Sequence, residues 1–224
     1  GQYRLPDCSV DLGLPEMDFR EAATAGARSV VIGVAPSGGV LKAEWVSVLS
    51  EAIRSGLSLV SGLHCKLSEE SELVEAAAAS GQQLIDIRVP PASSSIATGR
   101  QRSGKRLLMV GTDCCVGKKY SALSLHKALQ ERGISATFRA TGQTGILIAG
   151  GGIPMDAVVS DFLSGAAETL TPDAASDHWD VIEGQGSLFH PAYAAVTLGL
   201  LHGSQPDAMV LCHGSGRTSI DEYE

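Results

Sequence analysis

Apolar residues in the first ninety positions fall into short β-branched runs, separated by stretches in which they recur every three to four residues. The run 29–34 (SVVIGV) predicts a buried strand leading into a turn over 36–39. Trp45, Val48, Leu49, Ala52 and Ile53 then share one face of a helix, with Gly56 placed to end it. Residues 57–61 read as the next strand. Ser68 is expected to cap a helix whose first turn holds Glu69, Glu70 and Glu72, acidic groups that suit the positive end of the helix dipole. Gly81 closes that helix, and 84–89 (LIDIRV) is a third strand. Strand, helix, strand, helix, strand implies a parallel sheet with crossover helices.

The pattern breaks over 89–105, where prolines, serines, Gly99, Arg100, Arg102 and Lys105 show no apolar period. The expected layout is a domain over 1–90, a linker over 91–105 and a second domain over 106–224. In the second domain, strands are predicted at 106–110, 136–140, 179–183 and 208–212. Helices are predicted over 118–132, with Ala122, Leu125 and Leu129 on one face, through Met155, Val159, Phe162 and Ala166, and through Tyr193, Val196 and Leu200. Both halves are therefore expected to be α/β with parallel sheets. The chain stops soon after the last strand, so further C-terminal sequence is expected beyond Glu224.

Composition narrows the partners. The formal charge of -8 disfavours nucleic acid and anionic membranes, which demand clustered Lys and Arg. A small anionic ligand needs only a local positive site. No stretch approaches the roughly 20 apolar residues of a membrane span, and no secretory signal is visible. Five irregularly spaced cysteines suggest reduced thiols and a cytoplasmic protein rather than a disulfide framework.

The most specific motif is VGTDCCVGKK, an apolar strand running into a glycine-bounded turn that opens a helix. Such a P-loop points backbone N–H groups inward at phosphate, with the helix N-terminus and a lysine adding positive potential. Gly111, Thr112, Asp113, Cys114, Cys115, Val116, Gly117, Lys118 and Lys119 are the candidate cofactor-binding residues. Lys119 stands where a nucleoside triphosphatase has the Ser or Thr that ligates Mg²⁺. An ammonium repels that ion, so a second lysine suits phosphates that are carried and not cleaved, although Thr112 offers a substitute hydroxyl. Cys114 and Cys115 read as small loop residues, with a reactive thiol as the alternative. No metal-type Cys/His spacing occurs, and no metal site is expected.

Three further places carry candidate chemistry. WDVIEGQGSLF puts Glu183 at the carboxyl end of a strand, beside the P-loop, as a general base or metal ligand. His190 and His213 fall on the same predicted edge, and His64 on the matching edge of the first domain. His126, His178 and His202 read as structural. RATGQTGILIAGGG is expected to be a glycine-rich loop close to a ligand, with Arg139 and Gln143 as contacts to carboxylate or phosphate.

The loop GTDCCVGKK and the downstream EGQG resemble the corresponding segments of dethiobiotin synthetase, a P-loop ligase using ATP and Mg²⁺, with Lys119 in place of its threonine. A wider resemblance covers nearly the whole chain. VIGVAPSGG, SGLHCKLSEE, IDIRVPP, GKRLLMVGTDCCVGKK, FRATGQTG and EGQGSLFHPAYAAVTLGLLHG are together similar to a two-domain family. That family was long catalogued as a domain of unknown function and is now associated with D-glutamate N-acetyltransferase activity. The resemblance implies a Rossmann-like N-terminal domain lacking its first strand here, followed by a P-loop domain. It also implies acetyl-CoA as donor and the amine of D-glutamate as acceptor.

Acetyl transfer leaves the phosphates of coenzyme A untouched and needs no Mg²⁺, in keeping with Lys119. Glu183 and His190 are the candidate bases, and Arg139 a candidate clamp for a substrate carboxylate. Two alternatives stay open: an ATP- and Mg²⁺-dependent ligase or kinase, and a nucleotide-binding module without chemistry. A small-molecule substrate is expected in the first two cases, and a homo-oligomer is compatible with all three.

Overall fold

The computed structural model describes residues 1–6, 8–34, 36, 40–92 and 95–223. The chain divides into two compact units, Gly1–Arg88 and Val89–Glu224. The first contains α1 (Phe19–Thr24), β1 (Ser29–Val31), α2 (Ala43–Arg54), β2 (Ser58–Ser61), α3 (Ser71–Ser80) and β3 (Leu84–Asp86). Its sheet has the order β1-β2-β3, all parallel. The face of α2 read from the sequence is the one that packs, with Leu49, Ala52 and Ile53 buried against Leu57, Leu59 and Leu73. Gly56 ends that turn at φ +91°, a conformation that favours glycine. The turn expected over 36–39 lies, apart from Pro36, outside the described residues.

Two local expectations give way to long-range partners. Ser68 does not cap α3. It sits in a 3₁₀ turn, Leu67–Glu69, and its hydroxyl donates to Asp86 at the end of β3 at 2.9 Å, leaving Glu70 at the N-cap. The same carboxylate accepts the N–H of Leu67 at 2.8 Å. Helix α1 is additional to the sequence reading. A capping box between Asp18 and Glu21 starts it, and Phe19 is buried in the core.

The second unit comprises β4 (Lys105–Gly111), α4 (Lys118–Glu131), β5 (Ala136–Arg139), α5 (Gln143–Ala149), α6 (Leu163–Leu170), β6 (Trp179–Ile182), α7 (Ala194–Ser204) and β7 (Ala208–Cys212). The order β5-β6-β4-β7, all parallel, places β4 between β6 and β7. Alternation along β4 serves both faces of the sheet. Leu108 and Val110 join the cluster of Leu163, Ala167 and Leu200 from α6 and α7, while Leu107 and Met109 join that of Ala122 and Phe138.

Residues Met155, Val159, Phe162 and Ala166 do not form one helix. Two 3₁₀ turns, Met155–Ala157 and Ser160–Phe162, precede α6, since a three-to-four spacing is met as well by successive tight turns. The glycine-rich segment after β5 is likewise no open loop, because α5 occupies it and ends at Gly150 with φ +73°.

The polar stretch read as a linker is bound to the second unit. Arg102 is buried and donates to the carbonyls of Gly203 at 2.7 Å and Ser204 at 3.1 Å at the end of α7. Glu168 of α6 accepts from the N–H and hydroxyl of Thr98 and from the N–H of Gly99. These acceptors lie about seventy or more positions away, so a segment without apolar period is held by charge and backbone polarity. Among the described residues no helix is long and apolar enough to cross a membrane.

Helices α6 and α7 touch through glycine. A Cβ on Gly203 would stand 2.1 Å from the carbonyl oxygen of Ser164, and one on Gly199 1.7 Å from a methyl of Leu163. Propensity alone makes Gly→Ala within a helix stabilising by about 1 kcal/mol. Gly203→Ala is expected to do the reverse and cost about 1–3 kcal/mol through overpacking, read as a lower urea midpoint.

Candidate functional site

The P-loop is built from the inside of the sheet outward. Gly111 ends β4 where a Cβ would meet the carbonyl oxygen of Asp113 at 2.8 Å and Nζ of Lys118 at 2.9 Å, so only glycine lets the chain curl here. Cys115 and Gly117 both take left-handed backbone, at φ +53° and +90°, and Lys118 opens α4. Lys118 is buried with its ammonium turned back into the loop, donating to the carbonyl of Asp113 at 2.9 Å. Burial lowers its pKa. Val116 packs into the core beside α4. Lys119 is half-buried, and its ammonium makes no hydrogen bond or ion pair with any described residue.

The remaining loop side chains turn elsewhere. The Thr112 hydroxyl lies 3.0 Å from Nδ1 of the exposed His213, which follows β7 directly. Its hydrogen bond to the imidazole makes it a poor stand-in for the absent magnesium-ligating hydroxyl. Asp113 is buried and faces the segment after β7. One oxygen accepts the N–H of Cys114 at 2.7 Å; the other accepts from the guanidinium of Arg217 and the N–H of Asp221 at 2.9 Å. Burial raises the Asp113 pKa, but the bonds from Arg217, Asp221 and Cys114 outweigh it and hold the carboxyl below its ordinary value. Asp113 is therefore an anchor for residues 217–221, and no spacing rule in the sequence pairs it with Arg217. Burial pushes the Cys114 thiol up, against an activated thiolate. Cys115 is exposed.

Glu183 follows β6, beside the P-loop strand, and is 3% exposed. Its Oε2 accepts the N–H groups of Thr141 at 2.9 Å and Gly142 at 3.1 Å, at the entry to α5. The contact is close enough to dictate glycines. A Cβ on Gly145 would stand 2.1 Å from Oε2, and one on Gly184 would stand 2.0 Å from the carbonyl oxygen of Met109. Oε1 makes no hydrogen bond with any described residue. Burial raises the Glu183 pKa, while the two N–H groups and the nearby Lys119 charge oppose the rise.

Two sequence-derived assignments are corrected. Arg139 does not face the loop: its Nε donates to Asp180 at 2.7 Å, near His178, and Asp180 is itself buried. Arg139 aligns with Ile182 and Asp180 with Thr137, so the guanidinium leans back toward the amino ends of the strands. His190 is 1% exposed and both ring nitrogens are taken. Nδ1 accepts the N–H of Ala192 at 3.2 Å, so Nε2 carries the proton and donates to the carbonyl of Asp221 at 3.0 Å. Tyr193 stacks on the ring and Tyr223 meets it edge-on. A histidine so held is a packing group and has no lone pair for a substrate. Gln143 is the first residue of α5, half-buried, with no side-chain hydrogen bond to a described residue.

His126 bonds the carbonyl of Ala136 and His178 the hydroxyl of Ser135, in keeping with structural roles. His64, exposed after β2, belongs to the first unit. Among the described residues one trio has metal-ligating atoms within 4.8 Å of one another, Asp113, Cys114 and His190. The bonds just given occupy both Asp113 oxygens and both His190 nitrogens.

Residues 4–90 match the Rossmann-like domain, and residues 95–224 the P-loop domain, of the family described as a domain of unknown function, DUF1611. The chain belongs to that family. It is 56% identical over 220 residues to a D-glutamate N-acetyltransferase of Tritonibacter scottomollicae and 54% identical to one of a Pseudoalteromonas species. Each alignment covers 98% of this chain, and the chain spans 66% of the length of these relatives. A crystal structure of a DUF1611 family protein from Anabaena variabilis superposes with a TM-score of 0.85 at 38% identity, over 92% of this chain and 61% of that one.

The environment of Glu183 makes a pH prediction. A carboxyl with a pKa higher folded than unfolded contributes stability that is complete below its ordinary value, 4.5, and lost as pH rises through the raised value. Glu183→Gln keeps an oxygen for the two N–H groups and removes the charge. Its stability relative to the parent should therefore increase as pH is raised from about 4 to about 8, in urea midpoints measured across that range. A difference independent of pH would show that the carboxyl titrates as in the unfolded chain.

Proposed function

We propose that this protein transfers an acetyl group from acetyl-CoA to the amine of a small acidic amino acid, with D-glutamate the first choice. The observation that carries the proposal is a buried carboxylate beside a phosphate-type loop whose metal-ligand position holds a lysine. The names of two relatives above 50% identity agree with it.

In this reading the backbone N–H groups of the P-loop, with Lys118 and Lys119, hold the phosphates of coenzyme A. Those phosphates are carried through the reaction unchanged, so neutralisation by two ammonium groups suffices. The Lys118 ammonium, held on a loop carbonyl, is poised to exchange that neutral acceptor for a charged phosphate oxygen, a stronger partner. An α-amine is mostly protonated near neutral pH and has no lone pair to attack with. Glu183 is the group to take that proton, at Oε1, while Thr141 and Gly142 fix Oε2. The amine nitrogen then bonds to the thioester carbonyl carbon and the carbon–sulfur bond breaks. The electron pair leaves with sulfur, the thiolate takes the second proton that the nitrogen sheds on becoming an amide, and the proton held by Glu183 passes to solvent. Burial serves this role, because a carboxylate with a raised pKa is a stronger base once ionised.

The test is release of free CoA thiol on adding D-glutamate, compared with L-glutamate and D-aspartate. The expected result is release with an acidic acceptor, fastest with D-glutamate, and activity that rises with pH as Glu183 ionises. Glu183→Gln should lower kcat by about 10²–10⁴-fold, the range for losing a general base. Lys118→Ala should weaken CoA binding with little change in thermal midpoint. Hydrolysis of ATP, or transfer of its γ-phosphate, with no thiol release would replace acetyl transfer by the ligase or kinase reading.

A further inference from the structure

With Arg139 committed to Asp180, the proposed reaction keeps only Gln143, at the start of α5, of the two residues read from the sequence as contacts to the acceptor's carboxylate. The structure gives unusual room to one side chain beside Glu183. Gln185 sits between Gly184 and Gly186, and each of those glycines is required. A Cβ on Gly184 would strike the carbonyl oxygen of Met109, and Gly186 has φ +65° with a would-be Cβ 2.2 Å from the carbonyl oxygen of Tyr193. The backbone of Gln185 is pinned between them, its carbonyl accepting the hydroxyl of Thr197 at 2.6 Å.

The side chain then points its amide nitrogen end-on at a third glycine. A Cβ on Gly142 would stand 1.9 Å from Nε2 of Gln185, 3.2 Å from its Cδ and 3.5 Å from Oε1 of Glu183. The amide and the unbonded carboxylate oxygen thus both lie close to Gly142, at the entry to α5. Gln185 is half-buried, and its amide makes no hydrogen bond with any described residue. Two glycines fix the backbone of residue 185, and a third leaves space for an amide that the fold itself does not use.

We infer that Gln185 is the specificity residue for the acceptor, its amide N–H₂ donating to a carboxylate of the amino acid. The inference rests on the acetyl-transfer reading for the acceptor's identity, and it places carboxylate recognition at residue 185 instead of 139. A hydrogen bond to a charged group contributes about 1.5–3 kcal/mol, which is a change of about 10–100-fold in affinity.

Calorimetric titration of D-glutamate into the protein, with CoA present, tests it. Gln185→Ala should bind D-glutamate about 10–100-fold more weakly than the parent. Gln185→Glu, which opposes a carboxylate with a second one, should bind it more weakly still. Gln185→Asn should recover part of the loss. CoA affinity should be the same in all four proteins, and the thermal midpoint the same in the parent, Gln185→Ala and Gln185→Asn, which a merely structural role would not give. Equal D-glutamate affinity in parent and Gln185→Ala, or no D-glutamate binding by the parent, would overturn the assignment. Binding that depends on Gln185 without any thiol release from acetyl-CoA would leave Gln185 in place and remove acetyl transfer.

Discussion

The second unit is organised around the approach of one carboxylate to backbone that only hydrogen side chains allow. Glu183 leaves β6 beside the P-loop strand, and its Oε2 reaches the N–H groups of Thr141 and Gly142. For that contact to exist, position 145 must carry no Cβ, and Gly184 must let the chain pass the carbonyl of Met109. The same requirement explains why β5 runs so quickly into α5. The short helix supplies the N–H groups that hold a buried negative charge, which would otherwise cost several kcal/mol.

The P-loop is tied to its surroundings in a complementary way. Lys118 faces inward on a loop carbonyl, whereas Asp113 faces outward and clips residues 217–221 through Arg217 and the N–H of Asp221. His190, from the segment that follows Glu183, fastens the same stretch from the other side through the carbonyl of Asp221. The loop thus separates its charges. Two lysines are left for an anionic ligand, and the one acidic side chain of the motif is spent on structure. That division suits a loop that binds phosphates without hydrolysing them, since no free carboxylate or hydroxyl of the motif stands ready for a metal.

Much of this was legible in the residues. The apolar runs gave the parallel strands of the second unit within one residue, because a buried strand between crossover helices must be apolar throughout, whereas β1 and β3 end three residues earlier than read, at Val31 and Asp86. The glycine-bounded turn before Lys118 located the loop, and EGQG located Glu183. What was not legible involves polar groups whose partners lie far off in the chain. Arg139 looked like a ligand contact until Asp180 was seen to claim it, 41 positions on. His190 looked like a base until Ala192 and Asp221 took both nitrogens. The stretch 91–105 looked like a linker because Glu168, Asp173 and the end of α7 hold its residues Thr98, Arg102 and Ser103 through hydrogen bonds that leave no period in the sequence. Helix α1 is different: its Asp18–Glu21 capping box is a local signal that was open to reading.

The central claim is that this loop binds the phosphates of coenzyme A through lysines rather than through a metal. Its most direct test is calorimetric titration of CoA, ADP and ATP into the protein, once with EDTA and once with Mg²⁺. The account predicts that CoA binds with the same affinity in both buffers, and that Lys119→Thr weakens it in both. Tight binding of ATP that appears only with Mg²⁺, alongside no measurable binding of CoA, would contradict it.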